Sequence, residues 1–571
     1  MANNNNSNGT GLTAEQLQKE FREHSVAEFF KKNKQMLGLT GKIRTLTTIV
    51  HEYVTNSLDA CEEAHVLPEI TVKITELGNE YYEVMVQDNG PGLTEETVGK
   101  AFGKLLAGTK FHRRIQQRGQ QGIGAAGATM LALGTTGKPI QVISGNGKKA
   151  FSASLTIDSK TNQPKIIKID DFKKEFSGTA VKAKFKEIKY QRSEQGPFEY
   201  LRRTAISNPH TKITFIEPDG TKTVFNRTSK DIPDQPIEVP PHPHGMTVDE
   251  LLEMTHITKA RKVSAFLKSD FDRMGEKAIE EIQKNTHFDL NKDPKKLVWE
   301  EAEEITKTFK KITFIAPRTD GLRPIGEERI GKSMKEIVEP EFLSVVERKP
   351  TVYQGGFAFQ VEACVGFGGN AGRTMGKDDE GTDVKKVEIM RFANRVPLLF
   401  DSGGCAITKA VQTVDWRRYG IKDVNSAPLT IFIHMLSVHI PYTGAGKQAV
   451  ADEDEIMEEL RLALMETGRK IYRYVAMKRR EEEKQQKRKL FMKYATEVAI
   501  GLSGLTKEKK ESIEKKLLQI VLHRLKIDES KTEQENAPEE MSEEEIKKEN
   551  EKEKKQKEKV EKKQTKRKKL K

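Results

Sequence analysis

The chain has 571 residues, which at ~100–200 residues per domain implies three or four domains. Ninety-eight Lys and Arg against 85 Asp and Glu leave a net charge of +13, a surplus that points toward a polyanionic partner. The three cysteines Cys61, Cys364 and Cys405 exclude a disulfide framework and a CxxC metal site, no apolar run nears about 18 residues, and Met1–Thr13 lacks the core of a secretory signal, so a cytosolic multidomain protein is expected.

From about Thr13 to His51 the spacing of Leu17, Phe21, Val26, Phe29 and Phe30 predicts helix, and a helix over His51–Ala64 follows. Alternation in Ile70–Ile74 and Tyr82–Val86 predicts a strand pair. Residues 87–137 are dense in glycine. Strands are predicted over Ile140–Ser144, Phe151–Ile157, Lys165–Ile169 and Thr179–Phe185, completing an α/β layer near residue 228. Prolines 233, 236, 240, 241 and 243 punctuate a linker. Met246–Gln283 reads as compact helices with a turn at Ser269–Asp270. Strand patterns return at Lys311–Ala316, Gly355–Val365, Glu388–Asn394 and Leu429–His439, and a long helix is predicted from Asp452 through Lys478. Residues 541–571 carry 14 Lys or Arg against 8 Glu and no aromatic, so they cannot build a core; a solvated extension and a DNA-contacting arm both fit.

Three segments carry chemistry. In the helix His51–Ala60, Glu52, Asn56 and Asp59 fall at i, i+4 and i+7 on one face, with Val54 and Leu58 free to face a core. A carboxylate one turn from a carboxamide suits metal-assisted water chemistry: Glu52 can take a proton from water while Asn56 ligates a hard cation such as Mg²⁺. The same stripe also fits the wet side of an ordinary amphipathic helix. Thr55 stands where a zinc HExxH motif needs its second histidine. Next, Asp88-Asn89-Gly90-Pro91-Gly92 follows a strand directly, where a held carboxylate can accept from an exocyclic amine or simply make a turn. Third, Gly119-Gln120-Gln121-Gly122-Ile123-Gly124-Ala125-Ala126 opens a helix, leaving free N–H groups that can cradle phosphates. A fourth string, Gly326–Ser333, fits GxxxxGK[ST], but Glu327 and Glu328 would sit inside the wrap and no strand leads into it, so a working P-loop is not expected.

In this order and spacing, the three segments resemble the GHKL ATPase superfamily, and Gly178-Thr179 looks like its fourth motif. The lid string Arg118–Gly124, with Arg391–Pro397 and His439–Thr443 downstream, is most similar to the B subunits of archaeal DNA topoisomerase VI over roughly residues 10–480. That resemblance implies an α+β multidomain chain. Its parts would be a Bergerat-type α/β sandwich ATPase domain with an N-terminal strap (1–228), a helix–two-turns–helix domain (229–310), an α/β transducer (311–480) and a charged extension with a basic tail (481–571).

By the same resemblance Glu52 is the general base toward the γ-phosphate of ATP and Asn56 holds Mg²⁺. Asp88 accepts from the adenine amine in a pocket shaped by Gly90 and Gly92. Thr109, Lys110 and Gly119–Gly124, with Ala125 and Ala126, close over the phosphates, and Thr179 belongs to the same site. Asp59 falls in the pocket wall or behind it. Lys447, in Gly444-Ala445-Gly446-Lys447-Gln448, matches the transducer lysine that reaches the γ-phosphate, where a cation stabilises the transferring phosphoryl; without the family it is a surface-loop lysine. The implied assembly is an A2B2 heterotetramer in which ATP makes two B subunits pair around duplex DNA while a separate A subunit cleaves. The implied location is the archaeal cytoplasm, at the nucleoid, away from membrane. A mismatch-repair-type ATPase shares Asn56–Ala60 but usually carries a Phe-Arg-Gly-Glu-Ala lid that is missing here. The basic charge and the lid weigh against a chaperone, and the twelve histidines show no phospho-acceptor context for a histidine kinase. A non-hydrolysing DNA-binding scaffold is disfavoured because every expected active-site residue is present.

Overall fold

In the computed structural model the helix predicted across His51 is one element, α1 (Lys42–Glu63). It starts after Gly41, whose φ of +77° lies outside the helical region, so the helical spacing read from Thr13 to His51 is interrupted there. The structure describes residues 28–29, 32–33, 38–107, 114–119, 122–158, 160–172, 174–377, 383–444 and 446–520. The helical spacing read over residues 13–27, the site residues Thr109, Lys110, Gln120 and Gln121, and the basic stretch 541–571 lie outside the described residues.

All six strands predicted between residues 70 and 185 are present. They are β1 (Glu69–Gly78), β2 (Tyr81–Gln87), β3 (Ile140–Asn146), β4 (Ala150–Asp158), β5 (Gln163–Asp171) and β6 (Ser177–Lys186). The shorter β7 (Lys212–Ile216) and β8 (Lys222–Phe225) complete one eight-stranded sheet in the order β5-β4-β3-β6-β2-β1-β7-β8. Neighbours are antiparallel except β1 and β7. Alternate residues such as Tyr82, Val84 and Val86 face inward. Against them pack α1, α2 (Glu95–Gly103), α3 (Gly124–Thr136) and α4 (Pro197–Ser207). The apolar stripe of α1 runs Leu46, Ile49, Val50, Tyr53, Val54 and Leu58, a helical spacing that buries one side and frees the other.

Residues 231–242, around the predicted proline linker, hold no regular element. Beyond them α5 (Val248–Ile257), α6 (Val263–Asp270), α7 (Glu276–Asn285) and α8 (Trp299–Phe309) share a separate core that includes Leu251, Phe266, Ile282, Ile305 and Phe309. A Thr247–Glu250 capping box starts α5. The strand predicted over Lys311–Ala316 is not formed. Ile312 and Phe314 pack on the helical core instead. Side chains take the carbonyls a ladder would need: His244 meets Ile312 O at 2.9 Å, His242 meets Ile315 O at 3.1 Å, and Arg273 donates to Ala316 O at 2.9 Å.

The second sheet contains β9 (Phe342–Glu347), β10 (Thr351–Tyr353), β11 (Phe357–Phe367), β14 (Glu388–Ala393), β15 (Val396–Pro397) and β16 (Leu429–Ser437). A separate hairpin is made by β12 (Arg373–Lys377) and β13 (Asp383–Lys386). Strands β11 and β16 are buried on both faces, which explains their near-continuous apolar runs. The GxxxxGK[ST] string forms the start of α9 (Glu327–Ile337). The N–H groups of Ile325, just before the string, and of Gly326, its first residue, donate to the buried Glu362 carboxylate at 3.0 and 2.6 Å, so the place a phosphate would take at its start is held by a protein carboxylate. Helix α10 (Ala406–Thr413) precedes β16. The long helix α11 (Asp454–Thr506) extends well past the predicted end at Lys478. The chain divides into two compact units, one through Tyr474 and one from Val475, and α11 runs from the first into the second. In the second unit Thr496 donates to Glu514 at 2.6 Å, tying α11 to the helical residues 510–520. The fold is α+β and multidomain. Among the described residues no helix is long and apolar enough to cross a membrane.

Candidate active site

Helix α1 supplies the first wall. Glu52, Asn56 and Asp59 all line one cavity of about 340 Å³, within the ~300–1,000 Å³ usual for small-molecule sites. Val54 and Leu58 point into the core, as the spacing predicts. The Glu52 carboxylate lies against the first residue of α3: a Cβ built on Gly124 would stand 1.6 Å from its Oε2. Its nearest imidazole, His51, is 3.9 Å away. Burial lowers the His51 pKa more than Glu52 raises it, which favours the neutral ring. Asn56 is exposed and its side chain makes no hydrogen bond with the described residues, so its amide oxygen is available to a ligand.

Asp88 sits just past the end of β2 and is 6% exposed. Its Oδ1 accepts the N–H groups of Gly90 and Thr179, each at 3.0 Å, and its Oδ2 accepts the Ser57 hydroxyl at 2.8 Å. Burial raises its pKa, and these three donors only partly offset that. Gly178 makes the approach of β6 possible. At φ +110° it carries no side chain where a Cβ would meet the Asp88 carbonyl oxygen at 2.1 Å. Gly92 and Thr179 line the cavity, while Gly90 contributes its N–H to Asp88. Ser57 is a site residue that the motifs do not single out. Its only signal in the sequence is its place beside Asn56, on the turn of α1 that faces β2.

Gly119, Gly122, Ile123, Gly124, Ala125 and Ala126 form a further wall. Helix α3 begins at Gly124 with no side-chain cap among the described residues, and its positive dipole end meets the cavity. Lys447 enters from the segment after β16. Its loop is pinned by a Tyr442–Val450 bridge and by Thr443 N–H donating to Ala449 O at 3.0 Å. Lys447 is half-buried with φ +52°. Burial lowers its pKa, and the Glu52 carboxylate acts the other way. Glu52, Asn56, Asp88, the glycine-rich wall and Lys447 thus meet around one cavity, although 395 positions separate Glu52 from Lys447 in the sequence.

Arg118 does not serve the cavity as a free cation. Its guanidinium binds Asp59 at 2.7 Å, Glu62 at 2.6 and 2.8 Å, and Asn208 at 2.7 Å. Burial opposes the charged form, but Glu62 and Asp59 outweigh it and hold the Arg118 pKa above its usual value. His210 meets Glu62 at 2.8 Å. On the far side Ser207 donates to Arg395 O at 2.8 Å, and Asn394 donates to Gln117 O at 3.1 Å. The root of the glycine-rich wall is therefore bonded both to α1 and to the second sheet.

Residues 41–161 match the family model described as histidine kinase-, DNA gyrase B-, and HSP90-like ATPase. Residues 317–487 match the model of the topoisomerase VI B subunit transducer. The chain is 48% identical over 512 residues to the B subunit of type 2 DNA topoisomerase 6 from Methanothermobacter thermautotrophicus, covering 89% of this chain and 96% of that one. It is 45% identical over 563 residues to the protein of the same name from Pyrococcus horikoshii, covering 90% and 98%. Identity at this level across nearly the whole length of both relatives, with both family models in the expected order, leaves one assignment. The chain belongs to the family of type 2 DNA topoisomerase 6 B subunits.

Proposed function

We propose that this chain is the ATP-binding and hydrolysing subunit of a type II DNA topoisomerase, relaxing and decatenating duplex DNA together with a cleaving A subunit. The observation that carries the reading is the joint lining of one cavity by Glu52, Asn56, Asp88 and, from beyond β16, Lys447. Asp88, with its donors already paired, presents an acceptor to the adenine amine. The uncapped start of α3 and the adjoining glycines receive the phosphates. Glu52 takes the proton of the attacking water, and Lys447 stabilises the charge growing on the γ-phosphoryl. Asn56 has the free amide oxygen that a Mg²⁺ bound with ATP requires. When bound, that cation would neutralise phosphate charge.

Lys447 arrives from the transducer side, so a γ-phosphate contact there reports nucleotide state to the second sheet. ATP binding brings two copies of the chain together as a gate for a DNA segment, and loss of the γ-phosphate releases them. Two such copies with two A subunits make the A2B2 assembly. The +13 net charge suits a DNA path whose affinity falls steeply with salt.

The test is a sedimentation and ATPase experiment on the full chain, with and without a non-hydrolysable ATP analogue. The wild type should dimerise with the analogue. Glu52→Ala should bind ATP and dimerise, with turnover reduced by at least about 100-fold, the scale of general-base catalysis. A chain that neither binds nucleotide nor dimerises with it would overturn the reading.

A further inference from the structure

Arg391 lies on β14 and is only 2% exposed, yet its guanidinium is held by backbone carbonyls. Its Nη2 donates to the Phe400 carbonyl at 2.8 Å and its Nη1 to the Gln448 carbonyl at 3.3 Å. These two carbonyls belong to the two segments that matter for Lys447. Gln448 is the next residue after Lys447. Phe400 is seated on α1: it belongs to the core that α1 shares with the first sheet, and the Arg44 guanidinium lies 4.6 Å over its ring. Arg44, two turns ahead of Glu52, also binds both oxygens of Asp401 at 3.1 Å. The Phe400 N–H reaches the Gln448 side-chain oxygen at 3.4 Å, closing the circuit.

We propose that Arg391 is a positioning residue for ATP hydrolysis, its guanidinium fork setting the distance between the helix that carries Glu52 and the loop that carries Lys447. The proposal rests on the assignment of Lys447 to the γ-phosphate. A buried cation is costly, and an apolar side chain of similar length would fill the same space without that cost. What only arginine supplies is two donors in a fixed fork, able to hold two carbonyls at once. Burial lowers the Arg391 pKa, and Cys405 and Asp401, acting the other way, do not offset it. Lysine at this position keeps the charge but reaches one carbonyl, which leaves the loop free to turn about the other.

The experiment is steady-state ATP hydrolysis by the full chain assembled with its A subunit and duplex DNA. The variants are Arg391→Met, Arg391→Lys, Lys447→Ala and Arg391→Met combined with Lys447→Ala. Arg391→Met should lower kcat about tenfold and leave KM within about twofold, because the Lys447 contact strengthens as charge grows on the γ-phosphoryl in the transition state. Arg391→Lys should lose about threefold. In the Lys447→Ala background the Arg391 substitution should cost nothing further, the signature of two residues acting through one contact. An equal loss in both backgrounds, or a loss carried by KM and melting temperature, overturns the proposal. If Lys447→Ala hydrolyses at the wild-type rate, the Lys447 assignment falls and takes this proposal with it. If Lys447→Ala is slow while Arg391→Met is unchanged, this proposal alone falls. Should Arg391→Met fail to fold, the same cycle run with Arg391→Lys decides between these outcomes.

Discussion

Asp88 accepts from three protein donors with its two oxygens, which leaves one of a carboxylate's roughly four acceptor sites for a ligand. An asparagine there keeps the shape and replaces one acceptor oxygen by a donor. If the NH2 takes the Oδ1 position, it faces the N–H groups of Gly90 and Thr179; if it takes the other, it faces Ser57. Hydrogen bonds to a charged group are worth ~1.5–3 kcal/mol, so Asp88→Asn should weaken nucleotide binding by about 10- to 100-fold, read by calorimetry with a non-hydrolysable analogue. Undiminished affinity would detach Asp88 from the nucleotide. Gly124 makes the complementary point about catalysis. With only 1.6 Å between a new Cβ and Glu52 Oε2, Gly124→Ala must push the carboxylate aside. With Glu52 in its proposed role as the base, turnover should fall by at least about 100-fold, matching Glu52→Ala, because the carboxylate is displaced rather than deleted. A Gly124→Ala chain with wild-type turnover would show that Glu52 does not act from the position seen.

At the scale of elements, what could be read ahead of the structure follows from period. The strands of the first sheet alternate because one face is buried, and α1 shows its polar stripe because the other side is core. Lys311–Ala316 alternates in the same way yet is not a strand: Ile312 and Phe314 answer to a helical core, and histidine and arginine side chains bind its carbonyls. Period reports which residues are buried, and the partner that buries them lies elsewhere in the chain. The candidate site divides along the same line. Glu52, Asn56, Asp88 and the glycines are legible as local strings, whereas Ser57, Arg44 and Arg391 matter through contacts that join distant segments. Lys447 is legible only through family resemblance.

Arg118 is the sharpest case, a lid residue in the string and a structural clamp in the fold. With its side chain 7% exposed, it holds Asp59 and Glu62 of α1 and Asn208 beyond α4 together. Removing one member of such a buried pair costs ~3–5 kcal/mol, since the carboxylates are left behind uncompensated. Arg118→Met should therefore lower the apparent melting temperature by several degrees even without nucleotide, and Arg118→Lys should not restore it, lacking the fork. Melting unchanged from wild type would mean that α1 and the lid root are held by other contacts.

Across the whole molecule, the buried histidines set how the fold answers to acid. His434 is fully buried between Glu362, at 2.6 Å from its Nδ1, and the Arg395 N–H, which donates to its Nε2 at 2.9 Å. The proton of the neutral ring is therefore on Nδ1, and a second proton on Nε2 would face a donor. Burial, with Arg395 and Arg118 nearby, lowers the His434 pKa despite Glu362. Burial likewise lowers that of His210, whose ring lies against Glu62 in the Arg118 cluster. An unfolded histidine titrates near 6.5, so below that value the unfolded chain binds more protons than the folded one. The contribution of these residues is fully present above about pH 6.5 and is lost as pH falls toward the lowered folded values. Glu362 and Glu62 are held below the usual carboxylate range, by His434 and by Arg118 respectively, against the opposing effect of burial. Their contribution persists to lower pH and is lost below about 4.3. Thermal melting should accordingly hold level from pH 8 to about 7, then drop steadily toward pH 5, before the carboxylates titrate. His434→Asn removes one titrating ring while keeping a donor for Glu362. It should start less stable, because the Arg395 N–H loses its acceptor, and its melting should fall less steeply between pH 7 and 5. Parallel slopes for the variant and the wild type would mean that the acid sensitivity of the fold arises away from the junction of β11, β14 and β16.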